Sequence, residues 1–234
     1  SGDPSFDIPV HVREAMEKAL RDGMTHYTAS TGIPLLRKAI YQKVTTENKL
    51  VVPNDDHVVV TNGAMHGLYI LFRAMLDAGD EVILPDPMWT EIAENIRLSG
   101  GKPVPVRLVE EAGYQYDPKD IEAAITSRTK AIFINTPHNP TGAVASREAL
   151  EAIAQIAEKH DLLLVSDEAY EHVVYGGVEH VSLGSLPGAQ NRTISVYSMS
   201  KTYAMTGLRL GYLVINDGVV LERVKKLVRC TING

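Results

Sequence analysis

The stretch that decides the fold class is Leu162-Leu163-Leu164-Val165-Ser166-Asp167-Glu168-Ala169-Tyr170. Its first four residues are apolar without the alternation of a half-buried strand, so they predict a strand that is covered on both faces. Ala131-Ile132-Phe133-Ile134 repeats this pattern. Strands of this kind belong to parallel sheets that carry helices on both sides. Asp167 would then lie where such a strand ends.

Working outward, short apolar runs alternate with amphipathic segments along the chain, which predicts an α/β fold. The predicted strands are 57–61, 81–84, 102–106, 130–135, 162–166, 193–197 and 210–215. The predicted helices are 10–21, 33–48, 64–77, 89–99, 118–125, 146–160 and 219–228. Asp117-Pro118 and Ser146 carry the residue types that begin helices. We therefore expect a mostly parallel seven-stranded sheet sandwiched by helices, with residues 1–50 as an N-terminal helical segment and 51–234 as the large domain.

The bulk composition narrows the class of protein. The chain has 234 residues, of which 44% are hydrophobic and 22% charged, as in ordinary globular proteins. A net charge of −6 without a basic run argues against nucleic acid as a partner. No apolar run approaches the ~20 residues that a membrane span needs, and we expect no signal peptide. The single cysteine, Cys230, fits a reducing compartment, so we expect a cytoplasmic protein.

Unusual residues follow the predicted strands, at the edge where parallel sheets bind ligands. After the first strand, the turn at Gly63, Ala64 and Met65 opens a helix whose free amides suit a phosphate, although an ordinary glycine turn has the same sequence. Trp89 follows the second strand and would stack on a planar ring or pack as a core aromatic. Asn139 lies in the rigid turn Asn-Thr-Pro-His-Asn-Pro-Thr-Gly at 135–142.

Asp167 and Lys201 carry the charge at this edge. Asp167 follows buried residues and needs a cationic partner such as a protonated pyridine, or else it is a helix cap. Lys201 has hydroxyls before it, at Ser198 and Ser200, and Arg209 after it. An amine beside phosphate ligands suits a Schiff base with a cofactor that joins an aldehyde to a phosphate. That cofactor is pyridoxal 5'-phosphate (PLP).

These motifs resemble the class I/II aminotransferase family of fold-type I PLP enzymes, over nearly the whole chain. The resemblance implies that Lys201 holds PLP as a Schiff base and then moves the substrate proton. It implies that Asp167 keeps the pyridine nitrogen protonated and that Asn139 and Tyr170 bond the phenolic oxygen. Trp89 would stack on the ring. Gly63, Ala64 and Met65 with Ser198, Ser200 and Arg209 would hold the phosphate.

The resemblance extends to the N-terminal region and to the chain as a whole. Gly2 matches a glycine beside the substrate, where Asn139 also lies, and Tyr27 matches a tyrosine that reaches the phosphate of a neighbouring subunit. A homodimer with shared sites is therefore expected. The family's N-terminal arm and C-terminal small domain have no counterpart here, so we expect the small domain to be largely absent and the chain to be one part of a longer polypeptide.

The expected function is transfer of an amino group between an L-amino acid and a 2-oxo acid by a ping-pong mechanism. Other reactions on the same fold remain open, namely C–S β-elimination and aminocyclopropane carboxylate synthesis, as does a PLP-binding module without turnover. A dinucleotide-binding fold is not expected, because no G-x-G-x-x-G follows the first strand. The histidines at 26, 66, 138 and 180 lack the spacing of metal ligands, so no metal is expected.

Overall fold

The computed structural model describes residues 2–232, in which a seven-stranded sheet lies between helices. The strands are β1 (Val58–Thr61), β2 (Glu81–Asp86), β3 (Lys102–Arg107), β4 (Thr129–Asn135), β5 (Leu163–Asp167), β6 (Thr193–Ser198) and β7 (Gly211–Ile215). The helices are α1 (Val10–Arg21), α2 (Pro34–Thr46), α3 (Ala64–Met75), α4 (Thr90–Leu98), α5 (Pro118–Ala123), α6 (Arg147–Lys159), α7 (Met199–Thr202) and α8 (Gly218–Thr231). The predicted α/β class and all seven strands are confirmed, with strand ends that differ by one or two residues. The short helix α7 was not predicted.

The strand order β1-β7-β6-β5-β4-β2-β3 brings the two ends of the sequence together at one side of the sheet. Strand β7 runs antiparallel to both of its neighbours, β1 and β6. The pairs β2–β3, β2–β4, β4–β5 and β5–β6 are parallel, so the expectation of a mostly parallel sheet is confirmed. Because β7 is reversed, the loop before it lies at the edge where the other strands end.

Successive strand residues point to opposite faces, and both faces are covered. On one face, β-strand residues such as Val59, Phe133 and Val165 pack with α3, α4 and α8. On the other face, residues such as Ile132 and Leu164 pack with α5 and α6. Beyond them on that second face, α2 covers β1, β6 and β7. This double cover explains why the central strands are apolar throughout.

The two predicted helix starts are confirmed by their capping hydrogen bonds. The Ser146 hydroxyl accepts from the Ala149 N–H at 3.1 Å. The Asp117 carboxylate accepts from the Lys119 N–H at 2.8 Å, with proline at the first helical position. These bonds satisfy amides that have no partner within their own helix.

Glu81 begins β2 at the opposite edge from Asp167, and its side chain is only 2% exposed. It pairs with Lys102 at 3.0 Å and Arg128 at 3.1 Å, and it accepts from the Thr126 hydroxyl at 2.6 Å. The Thr126 hydrogen bond, followed by the one from Lys102, lowers the pKa of Glu81 from 4.5 to about 2. The carboxylate therefore ties β2 to the starts of β3 and β4.

The N-terminal segment differs from the rest of the chain in burial. Helix α1 buries no residue, whereas α2 buries Ile40 and Val44 against the sheet. The domain division at residue 50 stays a prediction. None of the helices between residues 2 and 232 combines the length and apolar character that crossing a membrane requires.

Candidate active site

A cavity of about 610 Å³ opens at the edge of the sheet where β4, β5 and β6 end. Most of the residues that the sequence singles out line this cavity. They are Gly2, Ala64, Met65, Trp89, Asn139, Asp167, Tyr170, Ser198, Ser200, Lys201 and Arg209. The separate loops that carry them thus converge on one space that is large enough for a small-molecule ligand.

Lys201 is brought into the cavity by the single-turn helix α7, which starts directly after β6. The Ser198 hydroxyl begins this helix by accepting from the Ser200 N–H at 3.2 Å. The Lys201 Nζ donates to the Gly2 carbonyl at 2.5 Å and lies 5.9 Å from the centroid of the Tyr170 ring. A methyl group at Gly2 would be 3.4 Å from that nitrogen. Gly2 and the lysine amine therefore share one wall of the cavity.

Asp167 ends β5, lines the cavity and is 7% exposed. Within residues 2–232, its side chain accepts one hydrogen bond, from the Ala169 N–H at 3.2 Å. Burial raises the pKa of Asp167 from 3.8 to about 6, and the negative charge of Glu168 adds to this increase. A buried carboxylate with so few donors is a site that favours a cationic ligand atom.

Tyr170 and Asn139 present neutral hydrogen-bonding groups to the same cavity. Burial raises the pKa of Tyr170, and the charge of Asp167 raises it further, so the hydroxyl keeps its proton and is a donor. The Asn139 backbone N–H is held by the side chain of Asn135 at 2.8 Å. The bond uses the Asn139 backbone, so it does not occupy the side-chain amide of this cavity-lining residue.

A second part of the site, around Gly63 and Arg209, has hydrogen-bond donors that suit an anion. Gly63 precedes α3 with φ 81°, a left-handed conformation that favours glycine. The amides that follow, at Ala64 and Met65, belong to the first helical turn, where N–H groups have no intrahelical partner. A methyl group on Gly63 would meet the Arg209 Nη2 at 2.5 Å, so the guanidinium lies directly beside this turn.

The guanidinium of Arg209 is held in place by its own loop. Arg209 has φ 54° and ψ 56°, in the left-handed region that non-glycine residues seldom adopt. Its Nη1 donates to the Thr206 carbonyl at 2.8 Å. Together with the Ser198 and Ser200 hydroxyls and the α3 amides, it forms a cluster of donors that suits a phosphate.

Trp89 and Tyr27 lie differently from the other predicted residues. Trp89 precedes α4, lines the cavity and is 44% exposed. Tyr27 is 83% exposed and does not line the cavity of its own chain. Its proposed contact with a neighbouring subunit stays a prediction.

Eight cavity residues were not singled out from the sequence; they are Leu68, Met88, Glu91, Ile92, Phe133, Asn135, Ala169 and Thr206. Asn135 and Ala169 fall inside the motifs at 135–142 and 166–170, and the signal for Asn135 was its position as the last residue of a strand. Thr206 donates to the Asp3 carboxylate at 2.6 Å, a contact across the whole chain that sequence does not reveal. In the described part of the chain, no group of three or more histidine, cysteine or acidic side chains is placed to hold a metal ion.

The residues present fit PLP. The buried carboxyl group of Asp167 lacks the cation that a protonated pyridine would supply. The donor cluster around Arg209 matches a phosphate group. The Lys201 amine lies in the same cavity and would hold an aldehyde carbon.

Comparison with known proteins gives a consistent result. The family described as aminotransferase class I and II matches residues 1–232. The aspartate/prephenate aminotransferase of Thermus thermophilus is 47% identical over 212 residues, which cover 91% of this chain and 54% of that protein. The aspartate aminotransferase of Pyrococcus abyssi is 40% identical, over 96% of this chain and 58% of that protein. The chain thus spans little more than half the length of these curated relatives.

Solved structures agree with the sequence relatives. The Thermus thermophilus aspartate aminotransferase with maleate superposes with a TM-score of 0.95 at 43% identity, covering 99% of this chain and 59% of that one. The aromatic aminotransferase from Pyrococcus horikoshii gives a TM-score of 0.95 at 38% identity, covering 99% and 62%. The family match over nearly the whole sequence, the shared fold and the converging site lead to one conclusion. This chain belongs to the class I and II aminotransferase family.

Proposed function

We propose that this chain forms the PLP-binding part of an aminotransferase that transfers an amino group between an L-amino acid and a 2-oxo acid. The observation that carries the proposal is the cavity in which the Lys201 amine, the buried Asp167 carboxyl group and the donor cluster at Arg209 meet. The names of the relatives, which are aspartate and aromatic aminotransferases, support L-aspartate and aromatic amino acids as the first donors to test.

The cofactor would be held at both ends of its ring. When bound, PLP supplies an aldehyde carbon that condenses with amines and a ring that accepts the electron pair released at the substrate Cα. Asp167 would hold a proton on the ring nitrogen, and Asn139 and Tyr170 would bond the phenolic oxygen. Trp89 would cover one face of the ring. These contacts fix the ring before a substrate arrives, so that orientation contributes to the rate.

Lys201 would have two successive roles. Its amine would hold the aldehyde carbon until a substrate amine took its place. The freed amine would then take the proton from the substrate Cα and return it to the carbon that had carried the aldehyde; a positioned base of this kind typically contributes ~10²- to 10⁴-fold. The donor's 2-oxo acid would leave before the acceptor enters, with its amino group kept on the cofactor, which is the ping-pong order.

Borohydride trapping tests the cofactor site directly. The purified chain is mixed with PLP and reduced, and its peptides are mapped by mass spectrometry. We expect PLP to be fixed on Lys201, and the Lys201→Ala variant to bind PLP without fixation. Lys43→Ala is the matched control, because Lys43 is a half-buried lysine outside this cavity. A label spread over other lysines, or no binding at all, would remove the basis for the proposal.

Product analysis tests the reaction. With L-aspartate and no acceptor, the ping-pong order predicts that the full-length protein releases the donor's 2-oxo acid in an amount equal to the bound PLP. Addition of a 2-oxo acid should then give continuous turnover. Release of free ammonia would indicate elimination instead of transfer. Loss of turnover in Lys201→Ala separates chemistry at this site from background reactions.

We also propose a homodimer in which Tyr27 of one subunit reaches the phosphate of the other. The exposure of Tyr27 outside its own cavity supports this arrangement. Sedimentation should show a dimer, and Tyr27→Phe should weaken PLP binding without changing the sedimentation coefficient. The proposal would be contradicted if the wild-type chain sedimented as a monomer and bound PLP with the same affinity as the Tyr27→Phe variant. The cytoplasmic location stays a prediction.

A further inference from the structure

Asn135, the last residue of β4, uses both ends of its side-chain amide to join the end of β5 to the turn that carries Asn139. Its Nδ2 donates to the Asp167 carbonyl at 3.0 Å. Its Oδ1 accepts from the Asn139 N–H at 2.8 Å. Asn135 is 6% exposed, and it also lines the cavity. The buried side-chain amide of Asn135 therefore links Asp167 to Asn139.

The backbone of Asn135 is itself fixed from the opposite side. The buried Tyr116 hydroxyl donates to the Asn135 carbonyl and accepts from its N–H, both at 3.0 Å. Asn135 and Asp167 are register partners at the ends of β4 and β5. The Asp167 carbonyl accepts a second bond, from the Thr136 N–H at 3.1 Å. Hydrogen bonds thus fix both the backbone and the side-chain amide of Asn135.

We infer that Asn135 is a positioning residue that sets the location of Asn139 relative to Asp167. This inference rests on the proposed PLP binding, in which Asp167 meets the ring nitrogen and Asn139 meets the phenolic oxygen. Those two atoms belong to one rigid ring, so the two protein groups must be held at a matching separation. The bond from the Asn139 N–H to the Asn135 Oδ1 fixes the residue that would contact the phenolic oxygen.

The test compares PLP with its 3-deoxy analogue, which lacks the phenolic oxygen. Loss of the bond to the Asn139 backbone should weaken PLP in Asn135→Ala by about tenfold, the effect of about one buried hydrogen bond. The analogue should lose less than about threefold, because it makes no contact that depends on Asn139. The pH midpoint of the absorption change of bound PLP should also shift, since it reports on donors to the phenolic oxygen.

A second variant separates positioning from folding. Asn135→Asp keeps the side-chain size and the oxygen that accepts from Asn139, but it loses the donor to Asp167. Its added charge acts on PLP and the analogue alike, so the ratio of their affinities reports on the phenolic oxygen. Because this variant breaks the link between Asn139 and Asp167, the ratio should fall below the wild-type ratio. If Asn135→Ala fails to fold, a fall of this ratio in Asn135→Asp supports the inference and a preserved ratio overturns it.

Asn48→Ala is the matched control for a buried amide. Asn48 is 8% exposed and bonds Lys43, Glu171 and Ser182 away from the cavity. This variant should lose stability but keep the wild-type affinity ratio and pH midpoint. Equal losses for PLP and the analogue in Asn135→Ala, with an unchanged midpoint, would overturn the inference. If the wild-type chain binds no PLP, the proposed function fails instead.

Discussion

Replacing Asp167 with asparagine should stabilise the PLP-free protein at pH 8 while weakening its binding of PLP. Burial raises the pKa of the Asp167 carboxyl group from 3.8 to about 6. Because the folded-state pKa is the raised one, its stabilising contribution is complete below pH 4 and is lost as the pH rises through 6. A difference of about two units corresponds to about 3 kcal/mol at pH 8. Asparagine has the same shape and carries no charge, so it avoids this cost.

Urea denaturation of the PLP-free protein at pH 5 and pH 8 measures the effect. The advantage of Asp167→Asn should be about 3 kcal/mol at pH 8 and about half of that at pH 5. Asparagine does not titrate, so the difference between the two measurements isolates the ionisation of Asp167. An equal advantage at both pH values would refute the reasoning. Asp117→Asn is the control, since asparagine caps a helix as well as aspartate does.

The same variant should lose PLP affinity. A neutral amide cannot compensate a protonated pyridine, and removing one member of a buried charge pair costs several kcal/mol. We expect PLP to bind at least about a hundredfold more weakly. Fluorescence titration with PLP checks this, and undiminished affinity would show that Asp167 does not meet the ring nitrogen.

Three further predictions concern other parts of the molecule. Gly211→Ala places a methyl group 2.6 Å from the Ala64 backbone nitrogen. It should lower the free energy of unfolding in urea by about 1–3 kcal/mol and weaken the binding of PLP. Gly218→Ala, whose methyl group would have no atom within 4 Å, should change neither quantity. Glu81 has a lowered pKa of about 2, so its stabilising effect is complete above pH 4.5 and is lost as the pH falls toward 2. Glu81→Gln should therefore show a smaller drop in Tm between pH 4.5 and pH 3, and parallel curves would contradict this. Tyr170→Phe should still bind PLP, but the pH midpoint of the absorption change of bound PLP should rise, because the phenolic oxygen loses one donor. An unchanged midpoint would show that Tyr170 does not contact the phenolic oxygen.

The elements of the fold could be predicted well because the burial of a strand or helix determines the pattern of apolar residues in its own short stretch of sequence. Runs such as Leu162-Leu163-Leu164-Val165 are apolar at every position only where both faces of a strand are covered. The capping residues Asp117 and Ser146 likewise act on amides two or three positions away. Residues placed directly after such strands, Asp167 and Asn139 among them, could therefore be assigned to one edge without knowing the strand order.

What the sequence could not reveal depends on contacts between distant residues. The reversal of β7 and its pairing with β1 join the first and the last strand of the sequence as neighbours at one side of the sheet. Helix α7 has only four residues, too few to show a helical period. The amide of Asn135 was part of a recognised motif, but its two bonds became visible only when β4 and β5 were placed side by side.

The pairing of β1 with β7 has a consequence for how the protein is made. The anion-binding turn that follows β1 is synthesised early, but its neighbours Arg209 and Gly211 come from the far end of the sequence. During translation, that turn must wait until residue 215 has left the ribosome before its supporting strand exists. Under the proposed PLP binding, uptake of the cofactor by the nascent chain would therefore require β7 and could not precede the synthesis of residue 215.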